Sequence, residues 1–336
     1  MNYKIEHEFN SIDSEKWACF VRQHPDGNFF QTPEFYGFIA KIPGIQPIVI
    51  AAQSEDGSIL GILVGIIQKE GGFLKARFSS RLIVRGGPLL AEPDAGIMDQ
   101  LLKSLIKRYK RRCIYMEFRN LYSLKDRQDY FLQNNFVYSD YLNFIVDTEK
   151  HNQSIQQLSS GKKRQIKKSL ENKARIVENA TVEQVKIFYS ILKDLYNKKV
   201  KKPLPDWGFF EQFFFHPEMG KYFLIEYKGQ IVGGIMCPIY NNKIIYEWYI
   251  AGEDGKHKGI YPSVLATWAP VNYAINNGLA QFDFLGAGKP DEDYGVREFK
   301  SSFGGTMVNY GRFTRINNRL LYSIGKTGLR LLRKLE

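Results

Sequence analysis

The chain predicts an α/β fold of the α+β kind, built as two tandem copies of one unit, each a mixed, mainly antiparallel sheet flanked by helices. Three observations predict it. Stretches with strand periodicity alternate with longer stretches of helical periodicity. The order of these stretches in the first half, helices then a strand meander then a long helix and a returning strand, is repeated in the second. Local echoes accompany the order: "ILGILVGII" from Ile59 lines up with "IVGGIMCPI" from Ile231, and "YMEFR" from Tyr115 with "QFDFL" from Gln281.

Taken in order, periodicity predicts helices over 13–22 and 33–41, then strands over 47–53, 59–68 and 73–84. A helix over 95–111, a strand over 113–118, a helix over 124–134 and a strand over 136–146 complete the first half. Helices over 181–199 and 207–215 open the second, followed by strands over 222–227, 231–240 and 243–251, a helix over 261–277 and a strand over 281–285. A strand that returns beside a meander after a helix gives a mixed sheet. The boundaries that follow are 1–150 for the first domain and 151–314 for the second, with a helix over 315–336 packing back on the first.

The 336 residues suffice for two cores, and 44% hydrophobic with 24% charged residues is a globular composition. A net charge of +12 favours an anionic partner such as RNA, a sugar nucleotide, a lipid phosphate or a membrane surface. Cys19, Cys113 and Cys237 lie far apart without a CxxC pair, which supports neither a disulfide framework nor a zinc site. The start "MNYKIEHEF" lacks a signal-peptide pattern, and no apolar run is long enough for a membrane span, so a soluble, cytoplasmic protein is expected. The closing "LLYSIGKTGLRLLRKLE" reads as an amphipathic helix, docked on the body or lying on a membrane surface. "FFEQFFFHP" and "IIYEWYI" read as core-packing runs.

Between the halves, "LSSGKKRQIKKSLENKARIVE" over 158–178 reads as a helix that Ser159 or Ser160 caps. Lys162, Lys163, Arg164, Lys167 and Lys168 put five positive charges in seven residues, either a solvated face or a polyanion site. A second basic cluster holds Lys198, Lys199, Lys201 and Lys202.

The stretch "FDFLGAGKPDEDYGVREFKSSFGG" looks at first like a phosphate cradle. The P-loop reading fails, because Pro290 stands where a Ser or Thr should follow Lys289. The dinucleotide reading fails too, since Gly286 and Gly288 are followed by Asp291 in place of a third glycine. The glycines read instead as a sharp turn off the strand that ends at Asp283. His7, His24, His151 and His216 show no triad or metal spacing, His257 reads as a surface residue, and no nucleophile motif is present.

The element order resembles the GNAT acyltransferase unit, and two such units joined by a basic helix resemble the FemABX family of aminoacyl-tRNA-dependent peptidyltransferases. The likeness covers nearly the whole chain. Its strongest parts are "GKKRQIKKSLENKARI" and "FDFLGAGKPDEDYGVREFKSSFGG", with "FFQTPEFYGF" and "VRGGPLL" as weaker ones. The helical hairpin that longer members insert has no counterpart, so the chain is closer to the short form.

The resemblance implies transfer of an aminoacyl group from aminoacyl-tRNA to an amine on the stem peptide of a UDP-linked or lipid-linked peptidoglycan precursor, with peripheral contact to the inner membrane surface as a further expectation. It implies no metal and no cofactor beyond the tRNA co-substrate. It makes Phe299 and Lys300 the family's Phe-Lys pair, with Lys300 stabilising the oxyanion or alternatively pairing with Asp291, Glu292 or Asp293. Asp283, and Glu117 at the matching place in the first half, are expected as general bases or, preferably, as loop-holding carboxylates. Lys198 or Lys199 is expected to meet the precursor's diphosphate, with Arg297 and Lys41 as further substrate-binding cations. Lys41 stands farther from Phe35 than the family's early lysine does, which puts diphosphate binding by the first domain in doubt.

Two alternatives stay open. An acyl-CoA-dependent N-acyltransferase acting on an amino sugar or another envelope intermediate would use the same fold, although "AGEDGKHKGIYPS" keeps only Gly255 and Gly259 where GNAT enzymes bind the coenzyme's pyrophosphate, and adds Glu253 and Asp254. A non-catalytic RNA- or membrane-surface-binding protein would use the basic junction alone.

Overall fold

The computed structural model describes residues 2–69, 79–149, 156–292 and 295–325. Residues up to 140 supply β1 (Tyr3–Glu6), α1 (Ser14–Gln23), α2 (Pro33–Ala40), β2 (Ile45–Ser54), β3 (Ile59–Gln68), β4 (Arg81–Arg85), β5 (Leu89–Leu90), α3 (Ala95–Tyr109), β6 (Tyr115–Arg119), α4 (Gln128–Gln133) and β7 (Val137–Ser139). Residues 141–309 supply β8 (Leu142–Asp147), α5 (Ser160–Glu171), β9 (Arg175–Val177), α6 (Val182–Leu195), α7 (Trp207–Phe214), β10 (Gly220–Tyr227), β11 (Gln230–Tyr240), β12 (Ile244–Tyr246), β13 (Tyr249–Gly252), α8 (Pro262–Asn276), β14 (Gln281–Asp283), α9 (Gly295–Ser301) and β15 (Thr306–Asn309). The chain then adds β16 (Arg312–Ile316).

Two compact units result, residues 1–140 with 310–336, and residues 141–309. The first sheet runs β1-β2-β3-β4-β6-β16-β7 with β5 also on β3. The second runs β15-β8-β14-β12-β11-β10-β9 with β13 also on β11. In each, one pair is parallel, β4 with β6 and β12 with β14, because a helix returns the chain to the sheet.

These two orders are the same order once β8 and β16 are recognised as exchanged. By sequence, β8 closes the first repeat, yet it pairs with β14 and β15 of the second sheet. β16 closes the second repeat and sits between β6 and β7 of the first. The expected boundaries at 150 and 314 therefore move to 140 and 309, and the strand expected over 136–146 is two strands with different partners.

Local chemistry fixes the helices that cover the sheets. Asp94 accepts from the Ile97 N–H to start α3, whose Ile97, Met98, Leu101, Leu102, Leu105 and Tyr109 form one buried face. Thr181 and Gln184 make a reciprocal capping box at α6. α6 is shorter than expected: the chain widens into a π-turn over Tyr196–Val200, and Lys201 closes it in the left-handed region at φ 49°. Phe209, Phe210 and Phe213 of α7 are buried, as the core reading of that run required, while Phe215 is exposed. The strand expected over 73–84 is seen from Arg81, its earlier part lying outside the described residues. After β16 a helix over 319–325 starts where Asn318 accepts from the Leu321 N–H, and its Tyr322 packs edge-on to Tyr115 of the first unit. The rest of the expected terminal helix, 326–336, lies outside the described residues.

Both sheets open at equivalent places. In the second unit Met236 pairs with Tyr249 and Ile239 with Ile245, so Cys237 and Pro238 face three residues, Tyr246, Glu247 and Trp248. Pro238 has no N–H to give, and the extra residue makes a bulge that splits the expected 243–251 strand. In the first unit Leu63 and Val64 face four residues, Arg85 to Pro88.

Candidate active site

The site of the second unit starts from the end of β14. The Asp283 carboxylate is buried, accepting from Asn143 Nδ2 at 2.7 Å and from the Leu285 N–H at 2.6 Å. Asn143 Oδ1 accepts from the Gly286 N–H at 2.7 Å. These bonds hold Leu285 in the left-handed region at φ 55°, an uncommon conformation for a leucine, and Gly286 follows at φ 131°. A Cβ on Gly286 would come within 2.9 Å of the Tyr141 ring. The loop thus needs a glycine there, and the Asp283 carboxylate accepts two of the hydrogen bonds at its start.

That turn aims the Phe284 and Gly286 carbonyls at Lys300. The ammonium of Lys300, only 7% exposed, donates to each of them at 2.8 Å and pairs with Glu247 Oε1 at 2.7 Å. An ammonium has three donors, and all three are used. Among the described residues the partner is neither Asp291 nor Glu292 but Glu247, itself 7% exposed and standing in the bulge between β12 and β13, while Asp293 lies outside the described residues. Glu247 Oε2 is buried and has no hydrogen-bond partner among the described residues. Beside the pair, burial and the Glu247 charge push the Cys237 thiol well up, so it stays protonated.

α9 contributes two further side chains. The Phe299 ring carries the Lys162 ammonium 4.3 Å from its centroid, with Phe303 at 5.6 Å on the same cation. Burial draws Lys162 below the ordinary lysine range, partly offset by Asp254. Arg297 corrects an expectation. Its guanidinium donates to the carbonyls of Ala287, Lys289, Pro290 and Glu292, clamping the acidic loop, and this spends the fork that substrate binding would need.

Along α5, Ile166 and Ser169 face inward, and Ser169 Oγ accepts from the Tyr261 N–H while Asn172 donates to the Gly259 carbonyl. Lys163, Arg164, Lys167 and Lys168 are exposed. Lys163 donates to the Gln156 carbonyl at 3.0 Å, and the Lys167–Glu171 pair at 3.8 Å is a solvated i,i+4 contact. Lys162 is therefore set apart from the run. Lys198 and Lys199 are exposed on the π-turn, with Lys198 paired to Asp194 at 2.9 Å, and Lys41 is exposed at the end of α2 in the first unit. His257 pairs with Glu253 at 3.2 Å and belongs to no triad.

In the first unit the equivalent opening is filled from within. The amide of Gln31 donates to the Val64 and Arg85 carbonyls at 3.0 and 2.8 Å and accepts from the Val64 N–H at 2.8 Å. Asn28 donates to the Gly86 carbonyl at 2.6 Å. Glu117 pairs with Arg119 and Arg312 at 2.6 and 3.4 Å. Burial alone would raise its carboxyl, but the two arginines hold it below the usual range, opposite to the tuning a base requires.

Sequence reasoning missed Glu247, Asn143, Gln31 and Asn28. Only Glu247 left a signal, a lone acid inside the apolar run "IIYEWYI", because a charge in a buried strand needs a buried partner.

Residues 227–327 match the FemAB family. The aminoacyltransferase FemA of Staphylococcus epidermidis is 29% identical over 92 residues, a match spanning 26% of this chain and 22% of that protein. Among solved structures, FemX superposes with TM-score 0.70 at 14% identity, covering 95% of this chain and 99% of that one. L-PGS from Bacillus licheniformis gives 0.59 at 14% identity over 95% and 96% of the two chains. A tandem GNAT protein from the clavulanic acid biosynthesis pathway gives 0.57 at 10% over 94% and 99%. The chain is FemABX-like, and its fold is the tandem GNAT arrangement expected from its element order.

Proposed function

We propose that the protein is an acyltransferase that forms an amide bond, moving an aminoacyl group from aminoacyl-tRNA to an amine of a peptidoglycan precursor stem peptide, UDP-linked or lipid-linked. The observation that carries this is one of position. The span matched to FemAB, 227–327, contains the bulge, the Glu247–Lys300 pair, Asp283 and α9, so the family likeness coincides with the buried charged site. The chemistry fits such a site. An aminoacyl ester is already electrophilic, so the protein needs to orient two substrates and balance the charge that develops, without a metal or a nucleophile of its own.

In this reading Lys300 supplies the fixed positive charge, Asp283 holds the loop whose carbonyls seat it, and Phe299 seats Lys162. The exposed face of α5, with Lys163, Arg164, Lys167 and Lys168, receives the tRNA backbone, and Lys198 and Lys199 meet the precursor's diphosphate.

One observation weighs against the acyl-CoA alternative. Asp254 Oδ1 accepts from the Ser263 N–H at 3.1 Å, so a carboxylate of the chain caps the start of α8 where a coenzyme pyrophosphate would sit. The deciding experiment incubates the purified protein with a mixture of charged tRNAs and a stem-peptide precursor, and reads the product by mass spectrometry. A mass increase equal to one aminoacyl residue is expected and names the group. Product from acyl-CoA alone would replace the donor. A chain that makes no product from either donor, yet binds RNA with a steep salt dependence, would be the non-catalytic binder.

A further inference from the structure

We propose that Glu247 accepts the proton of the attacking amine, and that Lys300 serves as its positioning residue. This deepens the transferase reading above and rests on it.

The inference starts from what Lys300 lacks. With its three donors spent on Glu247 Oε1 and the carbonyls of Phe284 and Gly286, it has none to turn toward an oxyanion. The unspent atom of the pair is Glu247 Oε2, a buried oxygen with no partner among the described residues. An unsatisfied buried carboxylate oxygen is costly to keep, and the fold keeps this one where the sheet opens and β12 ends. The Glu247 N–H is already taken by the Asp283 carbonyl at 2.9 Å, so the backbone fixes where the carboxylate stands. A neutral amine brings the N–H that Oε2 is missing.

The step balances. The amine nitrogen attacks the ester carbonyl carbon and forms the C–N bond, while its proton passes to Oε2. The tetrahedral intermediate then collapses, the C–O bond to the ribose breaks, and the proton goes from Glu247 to the leaving oxygen, restoring the carboxylate. Charge is conserved inside the site as well. Before attack, Glu247 and Lys300 cancel. After proton transfer, neutral Glu247 leaves the Lys300 charge opposite the oxyanion. Lys300 therefore stabilises the intermediate by charge, without releasing the loop carbonyls.

Two measurements test this. In the charged-tRNA assay, Glu247→Gln is expected to lower kcat by about 100-fold or more with KM unchanged, as loss of a proton acceptor does. The double variant Glu247→Gln with Lys300→Met, which removes both buried charges and so guards against misfolding of the single one, is expected to be at least as slow as Glu247→Gln alone, because it also lacks the charge opposite the oxyanion. Wild-type turnover by either variant overturns the proposal. The second measurement needs no donor. At mildly alkaline pH, where hydroxylamine is uncharged, it is expected to raise the melting temperature of the wild type and of a Glu183→Gln control at the surface, but not of Glu247→Gln. Equal shifts in all three, or no shift in any, overturn the role of Glu247. Failure of the wild type to use charged tRNA would sink the transferase reading alone, and the hydroxylamine titration would still decide Glu247.

Discussion

At the scale of single residues, the two halves put a carboxylate at the third position of the equivalent strand, Glu117 in β6 and Asp283 in β14, and give it opposite surroundings. Glu117 lies against Arg119 and Arg312, and its carboxyl is held below its ordinary value of 4.5. A depressed folded pKa adds stability that is complete above the unfolded value and is lost as pH falls through the folded one. Unfolding followed by circular dichroism should therefore show wild type losing stability below about pH 4.5, and Glu117→Gln, weaker at neutral pH, should lack that part of the decline. Asp283 instead spends its acceptors on an amide side chain and a backbone N–H. Lys300 was legible as the residue of interest because "FKSSFGG" carries it; its partner was not, since Glu247 is 53 positions away and only the sheet brings them together. Arg297 read as a binding cation because sequence shows a charge and not the carbonyls that consume it.

At the scale of elements, the weaker family-like segments turn out to meet each other. "FFQTPEFYGF" supplies Gln31 and "VRGGPLL" supplies the opening that Gln31 fills. A Cβ on Gly87 would come within 2.6 Å of the Gln31 amide, and one on Gly86 within 2.6 Å of Asn28, so the paired glycines admit these side chains. Gln31 fills, in the first sheet, the opening equivalent to the one at which Glu247 stands in the second. Gln31→Ala leaves one buried N–H and two carbonyls without their partner, and each such group costs roughly 1–3 kcal/mol. A loss of about 3 kcal/mol or more is expected in chemical denaturation, with the second-unit site unaffected when hydroxylamine binding is measured. The helices and meanders were legible because periodicity reports burial. The bulges were not, since an extra residue in a strand leaves the apolar pattern intact.

At the scale of the whole molecule, the repeat was legible and the exchange of its closing strands was not. β7 and β8 are neighbours in sequence, and nothing in "FVYSDYLNFIVD" marks the change of sheet between them; the partner of β8 is decided by pairing with residues more than 130 positions away. The exchange has a consequence for how the units can be separated. A fragment ending at residue 150 keeps β6 and β7 but lacks β16, the strand that pairs with both. It would expose two strand edges, the buried Phe131 ring that stacks at 4.0 Å on Phe313, and Glu117 deprived of Arg312. A fragment of residues 151–314 likewise loses β8, on which β14 and β15 both pair. Each fragment alone is expected to be aggregated or unfolded by circular dichroism and gel filtration. Co-expression of 1–309 with a separate 310–336 peptide should restore a folded first unit if the strand, and not chain continuity, is what the sheet requires. A fragment 1–150 that melts cooperatively by itself would show that the first sheet closes without β16, and would undo the exchange as the basis of the fold.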